Sequence, residues 1–241
     1  MEYEQLFSKR AESYLLAIDT YPTVLANEFL TAIQVCNLQP GQTLLTIPSS
    51  CEKLENYIPS DLNIHHIAFE TNKELAKLTG KTYCTFNSIP QYDNSVDTIL
   101  SLATLHHCKH DERISFYKEA LRVLKPDGQL IIGDVLKESD QDKWLNIFVN
   151  KHNSLGHKGL FWSNDDIRFI ESCGFSVKTT IKEYTWDFPD NQSMYDFIRK
   201  LFYVYLASDT DIHNALEEYL HTDFANCIFK WKLIYFIASR P

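Results

Sequence analysis

Two apolar segments of this chain, VDTILSL at Val96–Leu102 and LIIGDV at Leu130–Val135, enclose a stretch with helical periodicity. Apolar residues recur on one stripe of residues 113–125, and Pro126 followed by Gly128 then ends the helix and permits a turn. Unbroken apolar runs are typical of parallel strands that helices cover on both faces. A strand, a helix and a second strand in this order predict a right-handed crossover. The unit therefore restricts the chain to an α/β fold built on a parallel sheet.

The same alternation continues on both sides of this unit. Further strands are predicted at 44–47, 65–70, 82–86, 176–186 and 227–238. Further helices are predicted at 5–38 with an interruption at Pro22, at 73–78, in the first part of 139–160, from Ser163 or Asn164 to Cys173, at 192–207 and at 211–221. We expect a seven-stranded, mostly parallel sheet with helices on both faces. Residues 1–241 are predicted to form one domain, in which 1–38 is an N-terminal helical cap and 187–225 a helical insertion before the last strand.

Composition narrows the class of function. The net charge of −9 argues against a nucleic-acid partner, because phosphate backbones are bound by basic surfaces. The six cysteines match no zinc-ligand spacing, and scattered cysteines in a chain of this size are typical of a reduced compartment. The sequence contains neither a signal-peptide core near its start nor an apolar stretch of roughly 20 residues, the length that crosses a bilayer. We expect a cytoplasmic protein with no membrane partner.

The segment from Ile89 to Asp134 contains several motifs in a fixed order: Ile89-Pro90, Asp93-Asn94-Ser95-Val96-Asp97, Leu105-His106-His107 and Arg122-Val123-Leu124-Lys125-Pro126-Asp127-Gly128. This order resembles the central segment of class I methyltransferases that use S-adenosylmethionine (SAM), of the ubiquinone/menaquinone and biotin-pathway type. Residues 7–14, FSKRAESY, resemble the N-terminal helix of that family, and Gly174-Phe175 resembles the turn before its sixth strand. The resemblance implies a Rossmann-like fold and SAM as the cofactor.

The resemblance also implies which residues bind the cofactor. Glu70 ends the second predicted strand, 22 residues after Pro48, which is the expected place for the acid that binds the ribose hydroxyls. Tyr14 would reach the carboxylate of the cofactor if the N-terminal helix folds over the cleft. The full set assigned to the cofactor is Tyr14, Thr46, Pro48, Ser49, Ser50, Glu70, Thr71, Thr85, Phe86 and Leu102.

The chain departs from the family at the cofactor loop. Residues 44–52 read LLTIPSSCE where the family has a sequence such as LDIGCGTG, so Pro48 and Ser50 occupy glycine positions. Proline has a fixed φ and lacks an N–H, and serine adopts a positive φ only at a cost. Glu52 adds a negative charge close to where a methionine carboxylate would lie, and Phe86 is expected to fill adenine space. The loop is a degenerate form of the motif.

Histidines supply the candidate acid/base groups. His106 and His107 follow the fourth predicted strand; the wide occurrence of this pair in the resembling family favours a structural role, although His106 is kept as a candidate base. His152 and His157 lie in a loop after the fifth strand, and with Asp134 they are predicted to form an acid/base group. Their spacing matches no metal signature, so no metal is expected. A surface loop with incidental histidines is the alternative.

Three functions remain open at this point. The first is SAM-dependent methyl transfer to a small, partly apolar molecule, with the loop tolerated in its degenerate form. The second is an enzyme of cyclase or isomerase type that keeps the fold and does not use SAM. The third is a catalytically silent subunit that binds a partner protein. The oligomeric state, with itself or with another chain, is also left open.

Overall fold

The computed structural model describes residues 3–49 and 53–241, and their side chains from residue 9 onward. Within these ranges one sheet contains seven strands: β1 Thr43–Thr46, β2 His65–Glu70, β3 Thr82–Tyr83, β4 Val96–Leu102, β5 Leu124–Asp134, β6 Ser176–Asp187 and β7 Ile228–Ser239. Their order is β3-β2-β1-β4-β5-β7-β6. Strands β1 to β5 are parallel, and β7 is antiparallel to both β5 and β6. The predicted mostly parallel α/β sheet is confirmed.

Helices cover both faces of this sheet. They are α1 Tyr3–Thr20, α2 Ala26–Cys36, α3 Lys73–Thr79, α4 His110–Val123, α5 Asp140–Lys143, α6 Asn150–His152, α7 Asp166–Glu171, α8 Asn191–Leu201 and α9 Asp209–Leu220. A π-helical stretch, Trp144–Val149, joins α5 to α6. No helix among the described residues combines the length and the apolar character that crossing a lipid bilayer requires.

Alternation along the buried strands divides the core into two layers. In β1, Leu44 packs into the layer that contains α2, α8 and α9, while Leu45 packs into the layer that contains α4 and α7. In β5, Ile131 and Ile132 divide in the same way. Successive strand side chains point to opposite faces, so a strand buried on both sides is apolar at most of its positions. This is why these runs are recognisable in the sequence.

The strand order fixes the position of a crevice. From β1 the chain moves outward in one direction to β2 and β3, and it then returns to place β4 on the other side of β1. The helical connections therefore diverge between β1 and β4, and a crevice opens beyond the carboxyl ends of these strands. Polar residues that end β1, β2 and β4, or follow them directly, meet at this edge of the sheet.

Several predicted boundaries differ from the structure. Strand β3 is shorter than predicted because Thr85 turns back and pairs with Ser88. Helix α7 begins at Asp166, since the Asp166 carboxylate accepts a hydrogen bond from the Ser163 amide and holds the preceding turn. Helix α8 ends at Leu201, and Tyr203 then has a φ of 57°, a left-handed conformation that does not continue a helix.

The N-terminal helix contacts the helices that lie between β6 and β7. The Ser13 hydroxyl donates to the Lys200 carbonyl oxygen at 2.9 Å, and the Tyr21 hydroxyl donates to the Asp196 carboxylate at 2.8 Å. The Tyr21 ring also packs edge-on against Phe197, with ring centroids 5.9 Å apart. Helices α1 and α8 are thereby joined over the carboxyl edge of the sheet.

Candidate functional site

A cavity of about 110 Å³ lies in the crevice beyond β1, β2 and β4. At the sheet edge it is lined by Pro48, Glu70, Leu102 and the turn after β4. On its other sides it is lined by residues of α1 and α2, of the segment after β5 and of the β6–β7 region: Arg10, Tyr14, Leu25, Glu28, Phe29, Val135, Leu145, His157, Trp186, Leu201, Phe202 and Trp231. The cavity has space for several water molecules, since one water needs about 10–15 Å³ measured in this way.

Glu70 is the acid at the sheet edge, and it is almost fully buried. Its Oε1 accepts hydrogen bonds from the amides of Thr71 and Asn72 at 2.8 and 3.0 Å, and its Oε2 accepts one from the Ser49 hydroxyl at 3.0 Å. Asn72 in turn caps α3, because its side chain accepts a hydrogen bond from the Leu75 amide. The carboxylate is therefore held at the edge of the cavity by the backbone of the β2–α3 turn.

The residues of the predicted cofactor loop divide among different environments. Pro48 lines the cavity, and Ser49 is buried against Glu70. Thr46 is not among the residues that line the cavity, and its hydroxyl lies 3.0 Å from Nε2 of His66 on the neighbouring strand. Thr46 is paired with Ala68 and His66 with Leu44, so this is a diagonal contact on one face of the sheet, and a role of Thr46 in binding the cofactor stays a prediction. Ser50 lies outside the described residues.

A second, more open cavity of about 430 Å³ lies on the α4 side of the same edge. Thr71, Thr85 and Phe86 line it together with Asn87, which the sequence reasoning missed. The Thr85 hydroxyl donates to the Asn87 side-chain oxygen at 2.7 Å, and the Phe86 ring packs edge-on against Phe116 at 5.2 Å. Contrary to the expectation that Phe86 fills this space, its ring leans toward the core and leaves the cavity open.

Three histidines meet at the wall between the two cavities. His106, in the turn after β4, donates from Nδ1 to the Asp134 carboxylate at 2.7 Å, and the His106 amide donates to the other oxygen of the same carboxylate at 3.0 Å. The centroid of the His157 ring lies 5.5 Å from that of His106 and 5.1 Å from that of His107. His107 lines both cavities. The structure thus brings together His106, His157 and Asp134 of the predicted catalytic set.

The electrostatics of this cluster follow from burial and from the Asp134–His106 pair. Burial alone would raise the pKa of Asp134, but the attraction of His106, the hydrogen bond with it and the Val135 amide hold this pKa below its ordinary value. Burial holds the pKa of His107 and of His157 well below the ordinary histidine value, and the charge of the nearby Arg10 acts in the same direction. Both imidazoles are therefore neutral near pH 7.

His152 is not part of this cluster. It ends α6, its ring packs against Phe148 with centroids 4.8 Å apart, and it faces a separate surface groove that Asp211 also lines. The sequence pairs His152 with His157 because both lie in one polar segment. The helical end at His152 turns its side chain toward α9 instead, so the predicted pair does not form.

Glu28 is a buried acid in the cavity that the sequence reasoning did not identify. It lies on α2, and its Oε2 accepts a hydrogen bond from Trp186 Nε1 at 3.2 Å. Burial raises the pKa of Glu28 to about 7, the range in which a carboxyl group both donates and accepts protons near neutrality. The only signal in the sequence is a charged residue on the apolar side of an amphipathic helix.

Aromatic rings form the part of the cavity farthest from the strand ends. The Trp186 and Trp231 rings stack with centroids 4.7 Å apart, and the Phe202 ring lies next to both, at 6.3 Å from Trp186 and 6.2 Å from Trp231. Phe202 follows α8, whereas the two tryptophans lie on β6 and β7. The arrangement offers flat apolar surface with few polar groups, which suits a small, partly apolar ligand.

Comparison with known proteins identifies the fold on which this site is built. Residues 49–132 match the family model described as a methyltransferase domain. A SAM-dependent methyltransferase from Thermotoga maritima superposes with a TM-score of 0.61 at 16% identity, over 99% of this chain and 99% of that chain. The class I methyltransferase fold is the fold of this chain. The sequence matches none of the curated proteins.

Other proteins similar to this methyltransferase fold differ in activity. Phosphoethanolamine N-methyltransferase 2 of Haemonchus contortus, solved in complex with SAM, has a TM-score of 0.53 at 13% identity, over 89% of this chain and 52% of that chain. The cyclase SpnF has a TM-score of 0.56 at 17% identity, over 90% of this chain and 81% of that chain. At these identities the similarity describes architecture, and function has to be argued from the residues of the site.

The residues at the carboxyl edge of the sheet suit the nucleoside part of SAM, whereas the turn after β1 differs from the glycine-rich turn that SAM-binding proteins of this fold use. Glu70 presents a fixed carboxylate where a ribose would lie, and the cavity beside Thr71 and Asn87 is open. The turn after β1 contains proline and serine where close approach of the backbone calls for glycine. The fit therefore rests on the nucleoside end of the cofactor.

Proposed function

We propose that this chain transfers the methyl group of SAM to a small, partly apolar molecule. The proposal rests on one observation: a single cavity connects Pro48, Glu70 and Leu102 at the strand ends with the rings of Trp186 and Trp231. SAM, when bound, supplies an electrophilic methyl group. A nucleophile held against the aromatic rings would face that edge, and proximity of this kind accounts for much of the rate of such transfers.

On this proposal each of the two cavities holds a different part of the cofactor. Glu70 accepts hydrogen bonds from the ribose hydroxyls, and Tyr14 on α1 faces the methionine end. Thr71, Thr85 and Phe86 surround the adenine, with Asn87 as an additional polar partner. The remaining residues assigned to the cofactor are Thr46, Pro48, Ser49, Ser50 and Leu102.

Two groups are placed to accept a proton from the substrate. Glu28 lies beside the aromatic rings, and its raised pKa of about 7 keeps part of it ionised at neutral pH. His106 lies near the strand ends and is oriented by Asp134, a pairing that fixes the tautomer and the direction of an imidazole base. We assign the role of proton acceptor for the substrate to Glu28, because its carboxyl group lies in the aromatic part of the cavity.

Titration calorimetry with SAM tests the proposal. We expect saturable binding to the wild-type chain, and SAM at 100 times its dissociation constant should stabilise the fold by about 2.7 kcal/mol. Glu70→Gln keeps the shape of the side chain and removes its charge, so it should weaken binding about 10- to 100-fold. Glu74→Gln on the next helix removes the same charge from a solvent-facing pair with Lys77 and should bind normally. Absence of both heat and thermal shift at millimolar SAM would reject the proposal.

A second function is favoured by the proline- and serine-containing loop. An enzyme of cyclase or isomerase type needs the aromatic cavity and an acid/base group such as Glu28, but it needs no electrophilic methyl. The similarity of the fold to the cyclase SpnF supports this alternative. Failure to bind SAM, together with loss of product when Glu28 is replaced by Gln in a producing host, would select it. A silent partner-binding subunit is the remaining outcome, in which Glu28→Gln changes nothing.

A further inference from the structure

The imidazole rings of His106, His107 and His157 converge on one point. Acid/base catalysis needs one such ring and gives no reason for three to converge. One ring nitrogen from each of His106, His107 and His157 lies within 4.8 Å of the others. The rings come from two separate segments: the turn after β4 and the loop after α6. Nδ1 of His157 is buried without a hydrogen-bond partner among the described residues, and a buried nitrogen in that state has a desolvation cost that a bound ion would remove.

Two of the three rings, those of His106 and His157, show directly how a ring nitrogen is presented to the centre of the cluster. Asp134 accepts the Nδ1 proton of His106, which leaves the lone pair of Nε2 on the other side of that ring. Nδ1 of His157 is buried and has no hydrogen-bond partner among the described residues. Neutral imidazole is the common nitrogen ligand of transition metals.

The Asp134–His106 pair supplies a second, independent indication. Histidines that bind metals usually donate their other ring N–H to a carboxylate, which fixes the ring and increases its basicity as a ligand. Asp134 is fully buried and is bonded by both the ring and the amide of His106, so its position is set by the end of β5. A buried carboxylate behind one of three convergent histidines is the arrangement found in such sites.

We propose that His106, His107 and His157 bind one divalent transition-metal ion, of which zinc is the best match, with a fourth coordination position facing the cavity. Zinc bonds to histidine nitrogen at about 2.0–2.1 Å, which in a tetrahedron separates the nitrogens by about 3.3 Å. The nitrogens lie within 4.8 Å of one another, so the rings need to approach by up to about 1.5 Å when the ion binds. Sequence spacing predicted no metal because two of the ligands are adjacent and the third lies far along the chain.

Arg10 determines which ligand suits the fourth position. It lines the same cavity as all three histidines. A guanidinium beside a divalent ion favours an anionic oxygen at the open position, such as a carboxylate, phosphate or phenolate group. The metal site does not depend on SAM, because none of its ligands is assigned to that cofactor. With His106 as a metal ligand, Glu28 is the proton acceptor of the proposed transfer.

Cobalt substitution tests the site directly. The untagged chain is treated with chelator, and Co²⁺ is added while visible absorption is recorded. We expect a saturable band of tetrahedral intensity at one Co²⁺ per chain, displaced by one equivalent of Zn²⁺, and a Zn²⁺-dependent rise of the melting temperature. His157→Gln should weaken metal affinity at least about 100-fold, and Asp134→Asn about 10- to 100-fold. His110→Ala, at an exposed histidine of α4, is the matched control and should bind like the wild type.

Each result of this experiment has a definite meaning. Absence of a cobalt band and of a Zn²⁺-dependent thermal shift in the wild-type chain overturns the proposal, and so does equal metal affinity of the wild type and a folded His157→Gln variant. The wild-type measurement decides the question even if a variant fails to fold. SAM calorimetry is a separate measurement, so the two proposals succeed or fail independently.

Discussion

Replacing Arg113 with methionine is expected to lower the free energy of unfolding by about 3–5 kcal/mol, the range for breaking a buried ion pair from one side. Arg113 is almost fully buried on α4. Its Nε donates to the Leu105 carbonyl oxygen at 2.9 Å, and a second guanidinium nitrogen donates to the Leu160 carbonyl oxygen. The guanidinium also lies 3.6 Å from the Asp166 carboxylate. Methionine leaves the two carbonyl oxygens without this donor and the Asp166 carboxylate without the nearby positive charge.

The same side chain joins the two segments that contain the histidines. Leu105 directly precedes His106, and Leu160 follows His157 in the loop after α6. The guanidinium also stacks over the Trp162 ring with 4.3 Å to its centroid, which fixes the end of that loop. Arg113 therefore acts as a positioning residue for the cluster as well as a stabilising one.

Urea denaturation of matched variants measures this effect. Arg168→Met removes an exposed arginine whose partner, Asp165, lies one turn away, and we expect a change within about 0.5 kcal/mol. If Arg113→Met destabilises no more than Arg168→Met, then the buried network contributes little and the assignment of Arg113 is wrong.

Glu28 should make the fold less stable as the pH rises from about 4.5 to about 7. Burial raises the pKa of this carboxyl from 4.5 to about 7. Between these values the unfolded chain has released the proton and the folded chain still binds it, so each increase in pH favours unfolding. Below this interval both states are protonated and the contribution is complete; above it both are ionised and the contribution is lost. The total is on the order of 3 kcal/mol.

Glu28→Gln isolates this contribution, since glutamine does not titrate. The unfolding free energy of the variant minus that of the wild type should rise between pH 4.5 and 7 and then level off. Glu12→Gln, at an exposed position of α1, serves as the control with no such trend. A difference that stays constant across this interval would mean that Glu28 is ionised in the folded chain throughout.

The sheet could be predicted from the sequence because each buried strand is marked by a run of neighbouring apolar residues. Val96–Leu102 and Leu130–Val135 contribute apolar side chains to both core layers, so most positions in them are apolar and the runs are visible without any alignment. Strand β3 was overextended because Thr85 has the β-propensity of a strand residue, whereas its backbone pairing is decided by the turn to Ser88.

The site could be predicted only in part, because its contacts join distant segments. Glu70 was found from its distance along the chain to the loop after β1. Thr46 was assigned to the cofactor by analogy, and only the register of β1 with β2 reveals that its hydroxyl meets His66. The approach of His157 to His106 depends on how the loop after α6 folds back, and no local pattern encodes it.

The bonds between α1 and α8 have a kinetic consequence. Ser13 and Tyr21 form hydrogen bonds with Lys200 and Asp196. These bonds join α1 to α8 at the edge of the sheet where the cavity lies. Moving either helix away from the other requires both hydrogen bonds to break, and it would uncover Glu70 and the rings of Trp186 and Trp231 together, because all three line the cavity that α1 and α8 border. On the proposed function, the cofactor and the methyl acceptor would then enter and leave through one opening, at one rate of opening.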